Sequence, residues 1–167
     1  MNEDIETAVA FLTQAMEIEQ KGRRFYLNAA QKTEDEKGRD IFTTLANDEI
    51  KHYQLVKKER DSLTEQGKWV ASPEIKPVEI DLDKPLFPGG KKALEKTVTT
   101  KSSDWDALLF GLDIEIRSYD MYRQTAAKTQ DPLGKQTLQF LAGQEQSHFN
   151  LLMMRYESLF GYGAGPS

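Results

Sequence analysis

Apolar residues recur every three or four positions through two long stretches of the chain, and that spacing predicts helices. Residues 3–65 and 103–161 are rich in Glu, Lys, Gln, Ala and Leu; the first stretch holds no proline and the second only Pro132. Between Gly67 and Ser102 the helical spacing stops. Pro73, Pro77, Pro85, Pro88, Gly89 and Gly90 punctuate this segment, and Glu74 to Asp83 alternates apolar with polar residues, an extended reading. A short helix fits Lys91 to Lys96. The apolar residues Trp69, Val70, Ile75, Val78, Ile80, Leu82, Leu86 and Phe87 are too many for a solvated tether, so 67–102 reads as an ordered crossover within one domain.

Each helical stretch breaks once. Thr33-Glu-Asp-Glu36 matches a capping box, in which a hydroxyl meets the first free amides and a glutamate reaches back. Asp131-Pro132 supplies an N-cap followed by proline at the first helical position. The expectation is an all-α fold of four helices, about 3–31, 34–65, 103–129 and 132–160. They form two antiparallel hairpins joined by one long crossover, a four-helix bundle filling residues 1–167 as a single domain.

The halves repeat each other. Residues 16–63 shifted by 96 fall on 112–159 without a gap, matching Ile18/Ile114, Glu19/Glu115, Tyr26/Tyr122, Gly38/Gly134, Glu49/Glu145 and His52/His148. A duplicated hairpin predicts a bundle with internal pseudo-twofold symmetry. Both histidines of the chain sit in Glu-x-x-His, at Glu49–His52 and Glu145–His148. Residues three apart share a helix face, so each motif aims a carboxylate and an imidazole the same way.

That face is the apolar one. Glu49 lies in line with Phe42, Leu45, Ala46, Tyr53 and Val56, and Glu145 with Leu138, Leu141, Ala142, Phe149 and Leu152. Glu19 falls on the stripe of Leu12, Ala15, Met16 and Tyr26, and Glu115 on that of Leu108, Leu112, Tyr119 and Tyr122. Their heights agree too. Glu19 and Glu49 stand 14 and 16 residues from Thr33, and Glu115 and Glu145 stand 16 and 14 from Asp131. At 1.5 Å per residue all four lie ~21–24 Å from a turn, in one layer. Four uncompensated carboxylates in a core would each cost several kcal/mol, so they take up protons or bind cations. Two divalent ions balance four carboxylates, and neutral imidazoles complete the donor set. Carboxylate and imidazole without sulfur suit iron or manganese, with zinc as a further candidate.

Composition narrows the field. The 167 residues contain no cysteine, which excludes thiol nucleophiles, disulfides, iron–sulfur clusters and Cys-ligated metals within them. A net charge of −5 argues against nucleic acid as a partner. No run nears the ~18 apolar residues of a membrane span, and the acidic start, Met1-Asn-Glu-Asp-Ile, does not read as a signal peptide. A cytoplasmic location follows as the expectation.

One Glu from each of two helices, with Glu-x-x-His from each of the other two, is the ligand pattern of the ferritin-like superfamily. On Glu19-x6-Tyr26, Glu49-x2-His52, Glu115-x6-Tyr122, Glu145-x2-His148 and the long crossover, the chain most resembles its rubrerythrin branch. The resemblance implies a di-iron centre without haem. Glu19 and Glu115 would be terminal ligands, Glu49 and Glu145 bridging ligands, and His52 and His148 the nitrogen ligands. Tyr26 and Tyr122 would hydrogen-bond ligand carboxylates, with plain packing as the alternative reading. It implies redox chemistry on hydrogen peroxide or oxygen, an external electron donor such as a rubredoxin in place of a fused rubredoxin domain, and a homodimer. Ser118 stands where rubrerythrins carry a further glutamate, and Gly22 is its repeat partner, so the ligand set is more symmetric and nearer to that of bacterioferritin. Ile50 and Gln146 stand where a haem-binding relative has methionine. Ferroxidase or iron-handling activity, and a structural or sensing metal bundle without turnover, are the competing readings.

Several features carry blander expectations. Gly22 and Ser118 leave room for an oxygen species or allow close helix approach. Glu17 and Asp113 read as surface, Met153 and Met154 as core filler, and Lys21–Arg24 and Lys57–Arg60 as solvated faces. Gly161 to Ser167 reads as a flexible tail.

Overall fold

A computed structural model describes residues 2–95 and 103–160. Asn2 caps α1 (Glu3–Lys32), its side chain accepting from the Ile5 amide. The α2 helix (Glu36–Gln66) ends at Gly67, whose φ of 66° is a left-handed cap that a side chain would strain. The turn between them differs from the predicted capping box. Thr33 closes α1 instead, its hydroxyl donating to the Ala29 carbonyl at 2.6 Å. Asp35 caps α2, accepting from the Gly38 amide at 2.8 Å, so the second helix starts two residues later than expected. A carboxylate acceptor at a helix N-terminus also meets the dipole, which a hydroxyl does not.

The short α3 (Gly90–Glu95) lies within the crossover, close to the turn expected at Lys91 to Lys96; Lys96 falls outside the described residues, as do 97–102 and the tail from Gly161. Then α4 (Ser103–Lys128) and α5 (Pro132–Phe160) form the second hairpin, with Asp131 accepting from the Leu133 and Gly134 amides as its cap. Hairpin α1–α2 packs on hairpin α4–α5, giving the all-α four-helix bundle. No strand occurs among the described residues: turns at 73–74 and 82–83 bracket the alternating stretch, and 75–81 takes no regular secondary structure.

The hairpins run head to tail. The α1–α2 turn lies at the end where α4 begins and α5 finishes, with Arg155 of α5 bonded to Asp35 at 2.5 Å. Two apolar clusters fill the core. One joins Tyr26, Phe42 and Leu45 to Trp105, Leu112, Phe149 and Leu152. The other joins Leu12, Val56 and Leu63 to Tyr122, Leu138 and Leu141 at the opposite end. The crossover traverses the length of α5: Trp69 covers Gly134, Val78 covers Gly143, and Phe87 meets Phe149 at 5.8 Å between ring centres. Arg123 pins it midway, donating to the Leu82 carbonyl at 2.7 Å.

Candidate metal centre

Between the two apolar clusters lies a layer of acids and imidazoles. Glu19 comes from α1, Glu49 and His52 from α2, Glu115 from α4, and Glu145 and His148 from α5; none exposes more than 4% of its surface. The stripe position that makes each residue face inward is the one read from the sequence. His52 Nδ1 lies 3.1 Å from Glu145 and 3.6 Å from both Glu19 and Glu49. His148 Nδ1 lies 3.4 Å from Glu145 and 3.5 Å from both Glu49 and Glu115. The two rings stack at 5.3 Å, tilted by 19°.

The donors fall into two groups of four, each with one atom per residue within 4.8 Å of the others. One is Glu19, Glu49, His52 and Glu145; the other is Glu49, Glu115, Glu145 and His148. Glu49 and Glu145 belong to both. Either group could hold a metal ion, and orphaned atoms show that the fit is chemical. Glu49 Oε1, Glu115 Oε2, Glu145 Oε2 and His148 Nδ1 are buried without a hydrogen-bond partner among the described residues. Buried acceptors left bare are costly, and a cation is what a ring of them accepts.

The sequence-predicted tyrosines cross between halves. Tyr26 of α1 donates to Glu115 on α4, and Tyr122 of α4 donates to Glu19 on α1, both at 2.5 Å. Each hydroxyl thus occupies one oxygen and fixes the rotamer of a carboxylate from the other hairpin.

Protonation follows the crowding. Burial, then the charges of Glu49 and Glu145, pushes the Glu19 carboxyl well up; burial and Glu145 do the same to Glu115. Burial would lower His52, but Glu145 and Glu19 outweigh it and hold the imidazole well above its ordinary value. His148 is raised in the same way by Asp48, Glu115 and Glu145 against its burial. Burial would raise Glu145, but its bond with Glu115 and the His52 charge hold it well below. Without cations the layer is a proton store, and metal binding must release those protons.

Position 118 is a buried serine, and Gly22 faces Glu49. A methyl group on Gly22 would touch the Glu49 carboxylate carbon at 3.7 Å, an ordinary contact that close helix approach does not require to be empty.

Two acids escaped the sequence reading. Asp48 accepts from His148 Nε2 at 3.1 Å, from the outer side of the layer. Its partner lies 100 residues away on another helix, so nothing in the sequence around it signals the bond. Glu59, inside the supposedly solvated Lys57–Arg60 cluster, is fully buried; it accepts from the Val70 amide at 3.0 Å and from Thr137 at 3.5 Å. It ties the start of the crossover to α5. Arg23 is also half-buried within its basic cluster, while Lys21, Arg24, Lys57 and Lys58 are exposed as expected. Glu17 is exposed, and Asp113 is half-buried and paired with Arg117 at 3.1 Å. Met154 is 66% exposed and fills no core; only Met153 packs against one.

A model of the rubrerythrin family matches residues 10–156. The chain belongs to the rubrerythrin family. Membership places the four-helix bundle and its acidic layer within a group of ferritin-like di-iron proteins. Among solved structures, a hypothetical protein from Pyrococcus furiosus shares the fold, with a TM-score of 0.65 over 92% of this chain and 90% of that one, at 23% identity. No curated protein matches. No helix among the described residues is long and apolar enough to cross a membrane.

Proposed function

We propose that the chain is a non-haem di-iron oxidoreductase that acts on hydrogen peroxide or oxygen and draws electrons from a separate donor such as a rubredoxin. The observation that carries this reading is the pair of four-residue donor groups sharing Glu49 and Glu145, with their bare buried atoms. In it, Glu19 with His52 and Glu115 with His148 would each hold one ion, and Glu49 and Glu145 would serve both. Two iron ions bound there would supply Lewis acidity and, as ferrous ions each giving up one electron, the two electrons that reduce a peroxide; manganese or zinc fits the same donors, and the reading includes no haem. Tyr26 and Tyr122 orient the terminal carboxylates, and the apolar clusters above and below keep water out of the layer. A cytoplasmic homodimer belongs to the same reading.

Ferrous loading without oxygen, followed by one equivalent of peroxide, tests it. The expected result is two iron ions per chain and a ferric absorption band that appears on peroxide addition and fades on adding a reductant. An unchanged spectrum contradicts the peroxide reading.

Ser118 favours a second reading. It is buried where the family's additional glutamate would stand, and a serine there leaves the ligand set more symmetric and nearer to that of bacterioferritin. Catalytic oxidation of many ferrous ions per chain by oxygen would select that activity. Metal-dependent stability with neither reaction would leave a structural or sensing bundle.

A further inference from the structure

The duplicated hairpins repeat the six donors faithfully but not what stands behind them. Asp48 shifted by 96 residues falls on Gln144. Asp48 accepts from His148 Nε2 at 3.1 Å, so Nδ1 is the nitrogen of that ring left to face Glu49, Glu115 and Glu145. His52 also turns Nδ1 to the carboxylates, yet its Nε2 is buried with no hydrogen-bond partner among the described residues. Gln144, half-buried on α5, offers it neither a charge nor a bond.

A carboxylate behind a histidine fixes its tautomer and ring orientation and makes it a stronger donor. Behind the two imidazoles the halves therefore differ: one ring is anchored by a carboxylate and the other is not. Resting on the dinuclear reading above, we propose that the metal sites are unequal by construction. The Glu115–His148 side binds first and tightly, and the Glu19–His52 side binds second and exchanges readily. Asp48 is the positioning residue that sets the difference. An easily exchanged ion beside a firmly held one is a useful property for a protein that takes up or passes on metal.

Titration of the metal-free chain with cobalt(II), followed by calorimetry and visible absorption, tests this without reference to turnover. Two steps are expected, their affinities separated by about 10-fold or more. His148→Ala should remove the tighter step and His52→Ala the weaker. Asp48→Ala should weaken the tighter step by about 10- to 100-fold and leave the other in place, with Asp48→Asn between them. Gln144→Asp, at a half-exposed site that tolerates the change whether or not the Asp48 variants fold, should tighten the weaker step and draw the two together. Two equal steps in the parent chain, a tight step that survives His148→Ala, or a weak step indifferent to Gln144→Asp would overturn the inequality and leave a dinuclear centre standing. No cobalt uptake at all would overturn the dinuclear reading as well.

Discussion

Glu19 and Glu49 are chemically identical, equally buried and 30 residues apart, yet their positions assign them different consequences. Glu19 serves one group of donors and Glu49 serves both. Glu19→Ala should reduce metal content from two ions per chain to one, while Glu49→Ala should abolish binding; elemental analysis after dialysis separates the two. Tyr122 is a milder test. Its hydroxyl bonds the Glu19 carboxylate where both side chains are buried, so Tyr122→Phe should cost about 1.5–3 kcal/mol, read by chemical denaturation of the metal-loaded chain. The gathering of these six side chains in one buried layer was legible in the sequence because ionisable residues on an apolar stripe break a pattern that is otherwise obeyed, and because the break occurs twice at the same spacing. Asp48 broke no pattern. It sits at the edge of the stripe, and only the mismatch with Gln144 in the repeat could have drawn notice to it.

Helices were legible in extent but less so at their ends. Periodicity sums over many residues, whereas a cap depends on which of several neighbouring oxygens reaches an amide first. At the α1–α2 turn Thr33 bonds backward to Ala29, leaving Asp35 to start α2. Glu59 was misread for a related reason: nothing local shows that the chain after α2 folds back over it. Contact between elements also decides what glycine is for. Gly134 lies under Trp69, where an added Cβ would stand 2.5 Å from the indole, so Gly134→Ala should destabilise by about 1–3 kcal/mol through overpacking. Gly22, also within a helix, has room. Gly22→Ala should stabilise the metal-free chain by up to about 1 kcal/mol, since alanine is the better helix former. Thermal melts of the two variants should therefore move in opposite directions.

For the molecule as a whole, the acidic layer makes stability depend on pH and metal together. In the metal-free bundle Glu19, Glu115, His52 and His148 hold protons above their ordinary values of 4.5 and 6.5. The folded chain then binds more protons than the unfolded one, and its stability falls as pH rises. The imidazole part is complete below pH 6.5 and is lost as pH climbs through the raised folded value. Glu49 and Glu145, held low, act oppositely only on the acid side of 4.5. The metal-free melting temperature should thus decline from about pH 6 to about pH 9. Ions bind the deprotonated donors, so the stabilisation they add should grow over the same window. A metal-free bundle that gains stability with pH there would contradict the protonated layer. The central claim is more direct: one layer of six side chains from four helices holds two ions. Anomalous scattering from crystals grown with native metal tests it. The account predicts two peaks per chain, one beside Glu19 and His52 and one beside Glu115 and His148, with Glu49 and Glu145 reaching both; a single peak, or none within this layer, would contradict it.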